Sequence, residues 1–214
     1  MIRKEHREEK WVFPFVEYSP LAKKGKLPLM IQLHGAGERG DGSDLSLVDV
    51  HGFSKVIKDG EYECLFIMPQ CPRDSFWAAR VESIDKFIEQ IKSEYDIDED
   101  KIYLTGLSMG GYGTWFTAMA YPDKFAAIAP ICGGGMAWNA KTLTMPVRVF
   151  HGVEDNAVSV TQSDEMVAAI RKREGDVTYT RMEGVGHNVW EYAYNDELYN
   201  WFMSKKRVKK DELD

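Results

Sequence analysis

The chain has 214 residues, 44% of them hydrophobic and 29% charged, and a formal net charge of −7. That length fits one domain able to bury a sizeable core, and the composition excludes disordered, collagen-like and membrane-spanning chains. The acidic balance argues against a nucleic-acid partner, because phosphate binding needs clustered Lys and Arg.

Residues 1–10 are densely charged, lack the apolar stretch of a secretory signal, and read as a frayed tail on a single domain of residues 1–214. Residues 11–18 read as a first strand, 29–33 as a buried strand ending in a glycine-rich turn, and 64–68 as a strand stopped by Pro69. Over 81–95, Val81, Ile84, Phe87, Ile88, Ile91 and Tyr95 recur at helical spacing with charges between them, the pattern of an amphipathic helix. A strand at 102–105 runs at once into Gly106-Leu107-Ser108-Met109-Gly110-Gly111 and then a helix to about Tyr121. Strands at 126–131 and 147–150, a helix at 161–174, a strand at 177–182 and a closing helix at 195–205 follow. The tail at 206–214 is expected to fray; its Lys-Asp-Glu-Leu string is followed by Asp214 and so is not a terminal retention signal. The longest apolar runs, such as 126–132, are too short to cross a bilayer. Three cysteines, Cys64, Cys71 and Cys132, at scattered spacings point to reduced thiols and a cytoplasmic location. This alternation predicts an α/β protein with a mostly parallel sheet, in which functional residues cluster just after the strands.

Gly106-Leu107-Ser108-Met109-Gly110 matches G-x-S-x-G in the strand-to-helix setting that the motif requires. A serine in so sharp a turn holds a strained backbone, and glycines two residues away on either side let neighbouring chain pass without a Cβ clash. The helix that starts there points free N–H groups at the reacting centre. The plainer reading is a serine capping a helix. A nucleophilic serine needs a base, and usually an acid to orient it. Of five histidines, His6 lies in the charged N-terminus, His51 in a polar loop, and His34 and His151 at strand ends before glycine. His187 alone follows the last predicted strand, in a glycine-flanked loop, and completes the order Ser, acid, His. For the acid, Glu154 and Asp155 both lie just beyond a buried strand.

Gly35-Ala36-Gly37-Glu38-Arg39-Gly40 matches G-x-G-x-x-G, the fingerprint of an NAD(P)-binding oxidoreductase. That fingerprint needs a helix opening inside the motif and an acid ending the next strand. Here Asp41-Gly42-Ser43-Asp44 is loop-like, and Ile67-Met68-Pro69-Gln70 has no acid. The turn is read instead as half of an oxyanion hole, with the N–H of Ala36 and the N–H of Met109 as the two donors.

With these motifs in order, the chain resembles the α/β-hydrolase superfamily. More narrowly it resembles the compact bacterial esterases of the phospholipase/carboxylesterase and dienelactone-hydrolase-like families, over about residues 27–203. The form His151-Gly152-x-x-Asp155 followed by Val158, common in these families, favours Asp155 over Glu154. The resemblance implies ester cleavage through an acyl-serine, without cofactor or metal. A peptidase of the prolyl-oligopeptidase type, which uses the same three residues, is the alternative. Only residues 132–146 separate two strands between which many relatives insert a lid, so no large cap domain is expected and the site should be open. Trp77, Trp138 and Trp190 lie after strands or beside the histidine, where they could wall a substrate pocket or simply pack locally.

Overall fold

Eight strands form one open sheet in the computed structural model, which describes residues 1–22, 25–58 and 60–207. They are β1 (Ile2–His6), β2 (Phe15–Ser19), β3 (Leu27–Leu33), β4 (Leu65–Pro69), β5 (Ile97–Leu107), β6 (Ala127–Ile131), β7 (Val147–Gly152) and β8 (Val177–Met182), in the spatial order β1-β2-β4-β3-β5-β6-β7-β8. From β4 across to β8 all neighbours run parallel, while β2 pairs antiparallel with both β1 and β4. Strand alternation decides what each face buries. Leu29, Ile31, Leu33, Leu104 and Ile128 face one way, and Met30, Phe66, Tyr103 and Ala129 face the other.

Helices cover both faces. On the first lie α2 (Val81–Glu94), α3 (Met109–Ala120) and α4 (Thr161–Arg171), through Phe87, Ile88, Trp115, Met166 and Ile170. On the second lie α1 (Ser54–Ile57), α5 (Trp190–Ala193) and α6 (Asp196–Met203), through Phe53, Ala193, Leu198 and Phe202. The spacing read over 81–95 is the buried face of α2, where Ile84, Phe87, Ile88 and Ile91 turn inward. α6 starts where the Asn195 side chain accepts a hydrogen bond from the Leu198 N–H at 2.9 Å, an N-cap of the usual kind. Between β6 and β7 there is only a short 3-10 segment, Ala137–Thr142, so no cap domain is inserted at that connection.

The N-terminus departs from expectation. Residues 1–10 were expected to fray, yet Ile2–His6 pairs with β2 as an edge strand. Arg3 donates to Asp49 at 2.7 Å, and His6 lies 2.8 Å from the buried Glu17. A charged edge strand blunts further pairing, and it reads as a tail because its side chains are chosen for that role and not for a core. At the other end, Arg207 donates to the Asp100 and Asp123 carbonyls, so the chain is anchored to at least that point. Residues 208–214, including the Lys-Asp-Glu-Leu string, lie outside the described residues. Among the described residues no helix is long and apolar enough to cross a membrane.

Candidate active site

Three strand ends supply the side chains. Ser108 follows β5 directly and is the N-cap of α3, with φ 53° and ψ −115°, a left-handed conformation that costs a non-glycine residue about 1–3 kcal/mol. The elbow is so tight that a Cβ at Gly106 would meet the Gly110 backbone, and one at Gly110 would collide with the Leu33 carbonyl. The Ser108 hydroxyl makes no helix-capping bond. It points instead to His187 Nε2, 2.9 Å away.

His187 opens a short 3-10 turn after β8, and its Nδ1 lies 2.7 Å from Asp155 Oδ2. A carboxylate only accepts, so Nδ1 carries the proton and Nε2 faces the serine as acceptor. Asp155 sits just past β7, its side chain fully buried, and its Oδ1 accepts from the Ala157 and Val158 N–H groups at 2.9 and 2.8 Å. Burial works against its ionisation, but the hydrogen bonds from His187 and from these two N–H groups prevail and hold its carboxyl below the usual range. The rival Glu154 is exposed, and its own N–H ties the acid loop to the histidine loop through the Val185 carbonyl at 3.0 Å.

The turn after β3 comes alongside. A Cβ at Gly35 would lie 3.8 Å from the Ser108 Cβ. Ala36 is the first residue of a 3-10 turn, Ala36–Glu38, and Met109 the first of α3. First-turn N–H groups have no partner within their own helix, so both can serve a ligand. No α-helix opens inside Gly35–Gly40, only that single 3-10 turn; the next helix is α1, which begins at Ser54, so the dinucleotide alternative lacks its helix.

Four side chains hold this turn, and motif reading did not single them out for that task. His34 is buried, accepts from the Cys71 N–H at 2.9 Å and meets the Gly35 carbonyl at 2.6 Å. Burial pushes its pKa down to about 4. Gln70 receives the Gly42 N–H at 2.8 Å and donates to the Glu38 and Asp44 carbonyls at 3.1 Å each. Arg39 donates to the Ala36 and Ser75 carbonyls. Trp77, expected as a possible pocket wall, is completely buried instead. Its Nε1 donates to the His34 carbonyl at 3.0 Å, and its ring packs on Phe13, so it is a pillar beneath the turn. Trp190 is half-buried and meets His187 edge-on at 5.2 Å between ring centres. Trp138 is 77% exposed on the 3-10 segment after β6.

Among the described residues one trio could offer ligands to an ion: Cys132, Asp155 and His187, with donor atoms within 4.8 Å of one another. A tetrahedral zinc about 2 Å from each ligand sets its donor atoms roughly 3.3 Å apart, whereas His187 Nδ1 and Asp155 Oδ2 stand 2.7 Å apart with a proton between them. Burial also raises the pKa of the Cys132 thiol, which opposes the thiolate a metal needs.

Comparison with known proteins follows the same line. Residues 62–197 match the phospholipase/carboxylesterase family. The bifunctional acetylxylan esterase/xylanase XynS20E of Neocallimastix patriciarum is 30% identical over 152 residues, covering 68% of this chain and 22% of that protein. A poly(3-hydroxyoctanoate) depolymerase of Pseudomonas fluorescens is 24% identical over 161 residues, 64% of this chain and 57% of that one. A thermostable esterase of known structure superposes with a TM-score of 0.80 at 32% identity, over 96% of this chain and 63% of that one. The chain thus spans only part of the length of each of these relatives.

Proposed function

Since the chain belongs to the phospholipase/carboxylesterase family of α/β-hydrolases, we propose that it is a serine hydrolase that cleaves carboxylic esters with Ser108, His187 and Asp155. The observation that carries this reading is the unbroken line from Ser108 Oγ to His187 Nε2, 2.9 Å, and from His187 Nδ1 to Asp155 Oδ2, 2.7 Å, across three strand ends far apart in sequence. His187 takes the hydroxyl proton as Ser108 Oγ bonds to the ester carbonyl carbon, and the carbonyl electron pair moves onto its oxygen. The Ala36 and Met109 N–H groups meet that oxyanion, and Asp155 stabilises the imidazolium. On collapse the alcohol oxygen leaves with the proton from His187. Water, deprotonated by the same nitrogen, then attacks the acyl-serine, and the proton returns to Ser108 as the acid departs.

The uncapped crevice suits an ester held on a bulky group, and two relatives are named for acetylxylan and for poly(3-hydroxyoctanoate). Polymer-attached or oligomeric esters are therefore the substrate class to try beside small ones. The free, buried state of all three cysteines supports a reducing, cytoplasmic setting. A fluorophosphonate should label Ser108 alone, as read by peptide mapping. Ser108→Ala should lower turnover of an activated ester by about 10⁵- to 10⁶-fold with the fold intact. Undiminished turnover would remove the assignment, and faster cleavage of anilides than of matched esters would favour the peptidase alternative.

A further inference from the structure

The mechanism leaves one buried imidazole without a task, although it touches the carboxylate on which the histidine depends. His151 Nε2 lies 3.2 Å from Asp155 Oδ2 and 2.9 Å from the Val158 carbonyl oxygen, and neither His151 nor Asp155 exposes any of its side chain. Neither oxygen can donate, so Nε2 carries a proton; it is hydrogen-bonded to the Val158 carbonyl, with the Asp155 carboxylate oxygen at 3.2 Å beside that bond. On the far side of the ring, Nδ1 lies 2.7 Å from Ser163 Oγ, in the first turn of α4. Burial holds the His151 pKa below its usual value despite the pull of Asp155. Burial thus favours the neutral ring, in which Nδ1 is the nearer of two acceptors, at 2.7 Å against 3.1 Å for the Gly133 carbonyl, for the single proton of the Ser163 hydroxyl. Asp155 thus accepts from His187 Nδ1 and the N–H groups of Ala157 and Val158, and has the His151 Nε2–H within 3.2 Å of the oxygen that faces His187.

We propose that His151 is a positioning residue for catalysis, which holds the Asp155 carboxylate in the rotamer facing His187 and braces it against α4 through Ser163. The inference rests on the assignment of Ser108, His187 and Asp155 made above. Neutrality is what makes an imidazole suitable. Lys or Arg in its place would also grip the carboxylate, but the added positive charge would repel the imidazolium that forms on His187 in the transition state. An uncharged N–H fixes the carboxylate and leaves its negative charge for His187. The i, i+4 spacing of His151 and Asp155 across the strand end lets one short loop supply both groups.

Two substitutions separate positioning from packing. His151→Leu fills similar space without a donor, while His151→Gln keeps an N–H at the reach of Nε2. With an activated ester, His151→Leu should lower kcat between about tenfold and a hundredfold with KM near wild type, and His151→Gln should recover most of that loss. In an Asp155→Asn background the Leu change should cost less than about threefold, because effects that pass through one carboxylate do not multiply. A wild-type kcat in His151→Leu, or an equal loss in both backgrounds, overturns the proposal. Should His151→Leu fail to fold, His151→Asn takes its place: its amide reaches only as far as Nδ1, so it should lose kcat where Gln keeps it, and equal activity of the two overturns the proposal. Ser108→Ala keeps the two failures apart. If it is inactive while His151 changes are silent, only the role of His151 falls; if it is active, the assignment of the site falls with it.

Discussion

After β3 the chain runs through residues 34–44 with its carbonyl and N–H groups pinned by Gln70, Arg39 and the buried His34. After β8 it runs through 183–187 with little besides the bond from the Glu154 N–H to the Val185 carbonyl, and ends in an imidazole 27% exposed. Both loops reach Ser108, but they contribute different things. The first offers a backbone N–H, which has no rotamer of its own and points only where its surroundings aim it. In the proposed mechanism the second offers a side chain that must serve the serine, the departing alcohol and the incoming water in turn. Rigid support is needed in one and a measure of freedom in the other, with Asp155 supplying the single fixed reference for the imidazole.

The largest effect that tests this contrast lies on the freer side. Asp155→Asn should lower kcat by about 10⁴-fold by removing the acceptor that selects the His187 tautomer, whereas Glu154→Gln, on an exposed side chain, should stay within about twofold of wild type. Steady-state rates on one ester decide it, and the reverse ranking would move the acid to Glu154. On the anchored side, Trp77→Ala should destabilise the protein by about 3–5 kcal/mol as read by urea unfolding. A cost below 1 kcal/mol would mean that the turn does not rest on that ring.

A pH effect comes next. His34 is held neutral in the fold with a pKa of about 4 against an ordinary 6.5. The unfolded chain therefore binds this proton first as pH falls, so the contribution is complete above about 6.5 and is lost progressively toward 4, by about 3 kcal/mol in all. Unfolding free energies measured from pH 7.5 to 4.5 should fall less steeply in His34→Asn than in wild type; parallel slopes would assign the acid lability elsewhere. The smallest effect belongs to the exposed aromatic. Trp138→Ala should change stability by less than about 0.5 kcal/mol, and a larger change in urea unfolding would show a packing role that its 77% exposure denies.

Motif and order pointed to Ser108 and His187, which lie 2.9 Å apart, because G-x-S-x-G reports a local backbone shape and the histidine stood alone after the last strand. The choice between Glu154 and Asp155 needed the resemblance, since adjacent carboxylates in one loop carry no local signal to separate them. Trp77 and His151 were beyond local reading. A tryptophan after a strand looks the same whether it walls a crevice or supports a turn from below, and a histidine before glycine does not reveal which carboxylate its ring will meet.

Periodicity and strand-to-helix grammar are properties of neighbouring residues, so the amino-acid order alone determined the alternating α/β architecture, the span of α2 and the serine elbow. Which side chains touch was decided only when the strands took the order β1-β2-β4-β3-β5-β6-β7-β8 and brought residues 34, 108, 155 and 187 to one edge. The pairing of a charged N-terminal segment with β2, the bracing of residues 34–44 by Gln70 and Trp77, and the meeting of His187 with Asp155 are contacts between separate segments of the chain. They depend on desolvation and hydrogen-bond partners that no local window contains.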